Sequence, residues 1–216
     1  MGDVNSMGER RGGGSRRFVV MAPHRDCGPA IREYRRRLFA AGLWGAYSFP
    51  AVVPLGATER PLEAAELKVL AGAMRERAMA GTEVSGKGRG GMFTAQFDGE
   101  AMGFIDGPGG LRFCGLPLNI PAAVLPEIPG LVPYPAFVLC TALIGTEPGA
   151  EEQARKILRT VAPPPPVSFR AASVANLILR PLAGKDTGEA YSFEWAMGKP
   201  CWLPPVSGTG IQAETC

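Results

Sequence analysis

Histidine is nearly absent from this chain: His24 is the only one in 216 residues. A single imidazole excludes a mechanism in which one histidine is the general base and another the general acid. Cysteine is scarce and odd in number. Cys27, Cys114, Cys140, Cys201 and Cys216 stand at irregular spacing with no Cys-x-x-Cys pair. That pattern argues against a zinc site and for thiols, mostly buried, in a reducing compartment. No apolar run approaches the roughly 20 residues that span a bilayer, and the polar N-terminus has no apolar segment of the secretory type. The expected location is cytoplasmic, with no metal, no other cofactor and no membrane partner. Charged residues are only 20% of the chain, whereas hydrophobic residues are 46%, enough for a sizeable core.

Glycine and proline are abundant, at 29 and 21 residues. They punctuate short apolar segments, which predicts many turns and short strands. The formal net charge of +3 comes mostly from arginines in the first forty residues. This bias permits contact with phosphates without requiring it. Residues 1–15 read as a basic, glycine-rich disordered tail, 16–203 as one bilobal α+β domain, and 204–216 as a disordered tail.

Within the domain, the apolar run Arg17–Ala22 predicts a buried strand. Ile31, Tyr34, Leu38 and Ala41 recur at helical spacing, with Arg32, Glu33, Arg35, Arg36 and Arg37 on the other faces, so a helix is predicted over 28–41. Asp26 is its expected N-cap and Gly42 its stop. Tyr47–Leu55 reads as a second strand, demoted to an edge or bulged strand by Pro50 and Pro54. A helix is predicted over 61–79, followed by a glycine-rich loop, Gly81–Gly91, that lacks the ending of a phosphate-binding loop. Short strands are predicted over 92–97, 102–106 and 111–116, with hairpin signals between them, and a buried strand over 137–144. A helix over 151–160, a strand over 168–182 and a strand or hairpin over 191–203 complete the order β-α-β-α, a run of β, then β-α-β-β.

The segments RRRLFAAGLWGAYSF, FPAVVPL, PYPAFVLCTALIG and SFRAASVANLILRPL resemble the 2H phosphoesterase superfamily, relatives of 2′,5′-RNA ligases and cyclic phosphodiesterases. The resemblance covers roughly residues 16–203. It implies an α+β fold of two pseudo-symmetric β-α-β-type lobes, with antiparallel sheets around a central groove. In that family each lobe supplies a His-x-Thr/Ser-apolar strand motif. Here the first histidine position falls at Val52 with Pro54 at the hydroxyl position, and the second at Val138 with Cys140, or at Phe137 if the register shifts by one. Valine moves no proton, so the family's phosphodiesterase or ligase reaction is not expected.

The resemblance therefore implies a non-catalytic 2H-like protein that binds a nucleotide, an RNA end or another phosphate-bearing ligand in the ancestral groove. Arg170 and Asn176 share strand parity and could line that groove, and Tyr47, with Trp44 and Phe49, could stack a base. One alternative is an enzyme of unknown reaction that uses His24 as base and Cys27 as nucleophile at a strand-to-helix turn. Another is a protein-interaction module.

Overall fold

The computed structural model describes residues 15–23, 27–85, 92–95, 103–107, 111–118, 125–145, 147–165, 167–181 and 193–201. Most of both expected tails, His24, Asp26 and the Asp98-Gly99 turn therefore lie outside the described residues. The chain is mixed α+β with antiparallel sheets. Its elements are β1 (Arg16–Pro23), α1 (Gly28–Ala40), a 3-10 turn (Trp44–Tyr47), β2 (Val53–Thr58), α2 (Ala64–Ser85), β3 (Met92–Ala95), β4 (Gly103–Asp106), β5 (Arg112–Pro117), β6 (Leu131–Pro133), β7 (Val138–Ile144), α3 (Ala150–Thr160), β8 (Val167–Pro181) and β9 (Phe193–Met197). No helix among the described residues is long and apolar enough to cross a membrane.

The larger sheet runs β3-β8-β1-β2-β6, with β9 also paired to β8, and the smaller runs β4-β5-β7. The long β8 serves two neighbours along its outer side: Val167–Arg170 pair with β3, and Leu177–Pro181 with β9. On its inner side it pairs antiparallel with β1, Phe18 opposite Leu177 and Val20 opposite Ala175. A backbone bond ties the two sheets, Cys140 N–H of β7 donating to Val52 O beside β2 at 2.8 Å, while Tyr134 N–H extends the β6–β2 pairing by donating to Leu55 O at 3.0 Å.

Strand alternation sorts the apolar side chains into two clusters. Val19, Met21 and Val174 face the cluster that contains Ile31, Tyr34 and Leu38 of α1, Leu70 and Met74 of α2, and Leu158 of α3. Phe18, Val20, Leu177 and Leu179 face a second cluster that, among the described residues, holds none from a helix. It joins them to Ile105, Phe113, Val138, Cys140 and Leu143 of the smaller sheet. Four rings knit this second cluster. Phe113 lies 5.5 Å from Phe18, 4.9 Å from Phe49 and 5.9 Å from Tyr134 between centroids, and Phe18 lies 5.9 Å from Phe49. Such pairs add about 0.5–1.5 kcal/mol each beyond the area they bury.

Three local expectations are corrected. The strand expected over 47–55 begins only at Val53, and Trp44–Tyr47 coil into the 3-10 turn. Pro50 lacks the N–H group that an earlier strand would need, and the carbonyls of Ala46 and Phe49 are taken by Arg35 instead of a neighbouring strand. The N-cap of α1 is Cys27, with no side-chain cap bond, rather than Asp26. The second helix starts at Ala64 and runs through Gly81 to Ser85, so the first part of the expected glycine loop is helical. Gly42, with φ of 99°, does stop α1, in a conformation that suits glycine.

Candidate functional site

The positions that the resemblance assigns to the groove lie in closed packing. Val52 and Val138 are 2% and 1% exposed and belong to the same apolar cluster, together with Cys140. Pro54 is buried in β2 opposite Val20. Gly103 lies so close over Val138 that a Cβ there would meet its Cγ2 at 2.3 Å. The Cys140 thiol donates to Ala142 O at 3.2 Å, and burial pushes its pKa up to about 12 against the opposing pull of the Arg35 guanidinium. Among the described residues no open groove runs between these positions, and so high a pKa leaves the Cys140 thiol protonated at neutral pH.

The remaining expected residues are not brought into one place. Arg170 sits on β8 opposite Met92, and its side chain lies outside the described residues. Asn176 is spent on structure: its amide nitrogen donates to Leu62 O at 2.8 Å and its oxygen accepts from Leu62 N–H at 2.9 Å, which fastens β8 to the entry of α2. Cys27 is partly buried and packs against the first core cluster. Its expected partner His24 lies outside the described residues.

Tyr47 is different. From Leu43 onward, Leu43, Ala46, Ser48 and Phe49 are buried, whereas Trp44 and Tyr47 point outward, 58% and 49% exposed. They join Phe39, which is 39% exposed on the outer face of α1. The three rings touch, Phe39 lying 5.1 Å from Trp44 and 5.4 Å from Tyr47. Phe49, which could also have stacked a base, belongs instead to the buried cluster.

The turn carrying these rings is held from below. A Cβ on Gly45 would fall 1.8 Å from Leu143 O, so only glycine lets the turn sit this close to β7. Arg35 is buried, at 8% exposed, and its guanidinium donates to Ala46 O and Phe49 O while lying 5.3 Å from the centroid of the Tyr47 ring. Burial lowers its pKa, with Cys140 and Tyr47 opposing. An arginine stays charged in such a setting.

Basic groups flank the rings. Arg32 and Arg36 are exposed on the same helical stripe as Phe39. Glu33 accepts from Arg36 in a two-pronged pair at 2.8 Å and also lies 3.9 Å from Arg37. Glu33, and to a smaller extent Tyr47, raise the Arg36 pKa. Four arginines over 32–37 stand against one glutamate. Exposed rings can stack a base, at about 1–3 kcal/mol each, and guanidinium groups pair with phosphate oxygens.

Sequence reasoning placed Arg35 among the solvent-facing arginines and did not single out Phe39. Both signals were present. Arg35 is four residues after Ile31 and three before Leu38, inside the apolar stripe. Phe39 falls just outside the stripe, where an aromatic is exposed. Among the described residues no group of three potential metal ligands converges. Comparison of the chain with protein-family models, curated proteins and solved structures finds no match.

Proposed function

We propose that this chain is a non-catalytic 2H-like protein of two β-α-β-type lobes that binds a nucleotide or RNA end on the Phe39–Trp44–Tyr47 surface. The two antiparallel sheets and the order of elements support the family reading. The valines at both histidine positions, packed within one core, support a binding rather than a phosphoesterase role. The observation that carries the reading is the contact of three exposed rings at the end of an arginine-rich helix. The ligand site is thereby moved from the ancestral groove to the surface of α1 and the turn that follows it. A base on the rings and a phosphate on Arg32 or Arg36 is the pairing this chemistry favours.

The test is equilibrium binding of ribonucleoside monophosphates and of a short single-stranded RNA to the full chain. Trp44→Ala is expected to weaken binding and Arg170→Ala to leave it unchanged. The reverse pattern would return the site to the groove. No measurable binding by the wild-type chain overturns the nucleotide reading in favour of a protein partner.

A further inference from the structure

The surface that reads best as a ligand site owes its shape to a residue the ligand would not touch. We infer that Arg35 is the positioning residue of this surface, locking the Trp44–Tyr47 turn into a preformed platform for an unpaired base, so that the ligand class is single-stranded. The inference rests on the proposed nucleotide reading and adds to it both the residue that shapes the site and the strandedness of the ligand.

Three observations converge on Arg35. It is the one arginine of the α1 cluster that is buried, so it is withdrawn from any ligand phosphate while Arg32 and Arg36 remain exposed. Its planar fork reaches two carbonyls on either side of Tyr47, those of Ala46 and Phe49, which a single ammonium or amide could not do with the same geometry. The same guanidinium lies 5.3 Å from the Tyr47 centroid, within the range of cation–π attraction, so the carbonyl latch and the ring are fixed by one group. Gly45 closing on Leu143 O holds the turn on its other side.

The chain therefore presents Trp44 and Tyr47 outward before any ligand arrives. A preordered platform avoids the ordering cost that a mobile loop would meet on binding. Rings displayed in this way stack on free base faces. In a duplex those faces are already covered, so binding there would fall back on phosphate contacts.

Two variants and two readouts test this. Arg35→Met removes the fork, whereas Arg35→Lys keeps the charge but not the two-carbonyl geometry and serves if the Met variant does not fold. The first readout is affinity for a short single-stranded RNA and for its duplex, measured against salt. Each folded variant is expected to bind the single strand about 5- to 150-fold more weakly, the scale of one lost stacking contact, with the salt slope unchanged. A direct phosphate contact would instead lower that slope by about one.

The second readout needs no ligand: the near-ultraviolet circular dichroism of the wild-type chain, assigned to Trp44 and Tyr47 by difference against Trp44→Ala and Tyr47→Ala. The Arg35 variants are expected to lose that difference signal under conditions where far-ultraviolet dichroism and thermal unfolding show them fully folded. Retention of the signal overturns the positioning role even if no nucleotide binds, which separates this failure from failure of the ligand reading. Equal wild-type affinity for single strand and duplex overturns the strandedness.

Discussion

Placing histidines at the two positions where the 2H resemblance would set them is expected to harm this protein rather than to confer a reaction. Val52 and Val138 are 2% and 1% exposed in the ring-lined cluster between the two sheets, and Val138 is already pressed by Gly103. An imidazole at either position brings a polar ring among apolar side chains, at about 1–3 kcal/mol when it finds no partner. It also adds volume to filled space, at about 1–3 kcal/mol more. Each of Val52→His and Val138→His is thus expected to lose about 2–6 kcal/mol, and the pair most of the roughly 5–15 kcal/mol that holds a typical domain together. The sign of the pH effect follows from burial. A buried imidazole has its folded-state pKa below the unfolded value of about 6.5, so the unfolded chain binds more protons in mildly acid solution. The deficit relative to wild type therefore grows as pH falls below about 6.5, by up to ~1.4 kcal/mol per unit for each histidine. Urea denaturation of wild type and both variants at pH 7.5 and pH 5.5 measures it. Wild-type stability in the variants, or hydrolysis of a cyclic phosphodiester by the double variant, would refute the closed packing and restore the groove.

Asn176→Ala breaks both bonds to the Leu62 backbone, and a loss of about 1–3 kcal/mol in urea denaturation is expected, with nucleotide affinity unchanged. Burial holds the Cys140 thiol at about 12 and the Cys114 thiol well above its ordinary value. Both are therefore expected to resist an aromatic disulfide reagent at pH 8 in the native chain and to react once denaturant is added; rapid native reaction of either would contradict their burial. Arg60, followed by the Glu63 backbone, holds the Glu66 carboxyl at about 2. Its contribution is present above the ordinary carboxylate range and lost as pH falls through about 2, so Glu66→Gln is expected to flatten the acid limb of the stability profile; superimposable acid limbs would refute the assignment.

The sequence made the order of elements legible because each apolar run had its own period and its own punctuation. β7 follows this rule, as a run of seven buried residues closed by Gly145, and β8, though broken by Ser168, Arg170, Ser173 and Asn176, is bounded by prolines at both ends. The short β6 escaped notice, since Leu131–Pro133 is too brief and too proline-rich to signal a strand without its partner β2. The turn after α1 differs from the expected strand for a related reason. YSFPAVVPL has the composition of a strand, but buried Arg35 of the preceding helix captures the carbonyl of Phe49 within it and of Ala46 just before it, and no local pattern reveals such a donor. The site was legible only in part. Tyr47 was singled out, and Trp44 beside it, but position alone could not separate exposed Trp44 from buried Phe49. That sorting depends on which face of the turn meets β7, where Gly45 closes on Leu143. Valines at the motif positions could be read either as an emptied groove or as a filled core. Only the packing of Phe18, Phe49, Phe113 and Tyr134 around them decides for the core.

On the proposed reading, ligand meets this protein at the rings beside α1 and not between β2 and β7. Nuclear magnetic resonance of the full chain during titration with ribonucleoside monophosphates tests it most directly, by following the Trp44 indole N–H and the methyl groups of Val52 and Val138 together. The Trp44 signal is expected to move progressively to saturation while both valines stay still. Movement of the valine methyls with a stationary Trp44 would contradict it and place the ligand between β2 and β7.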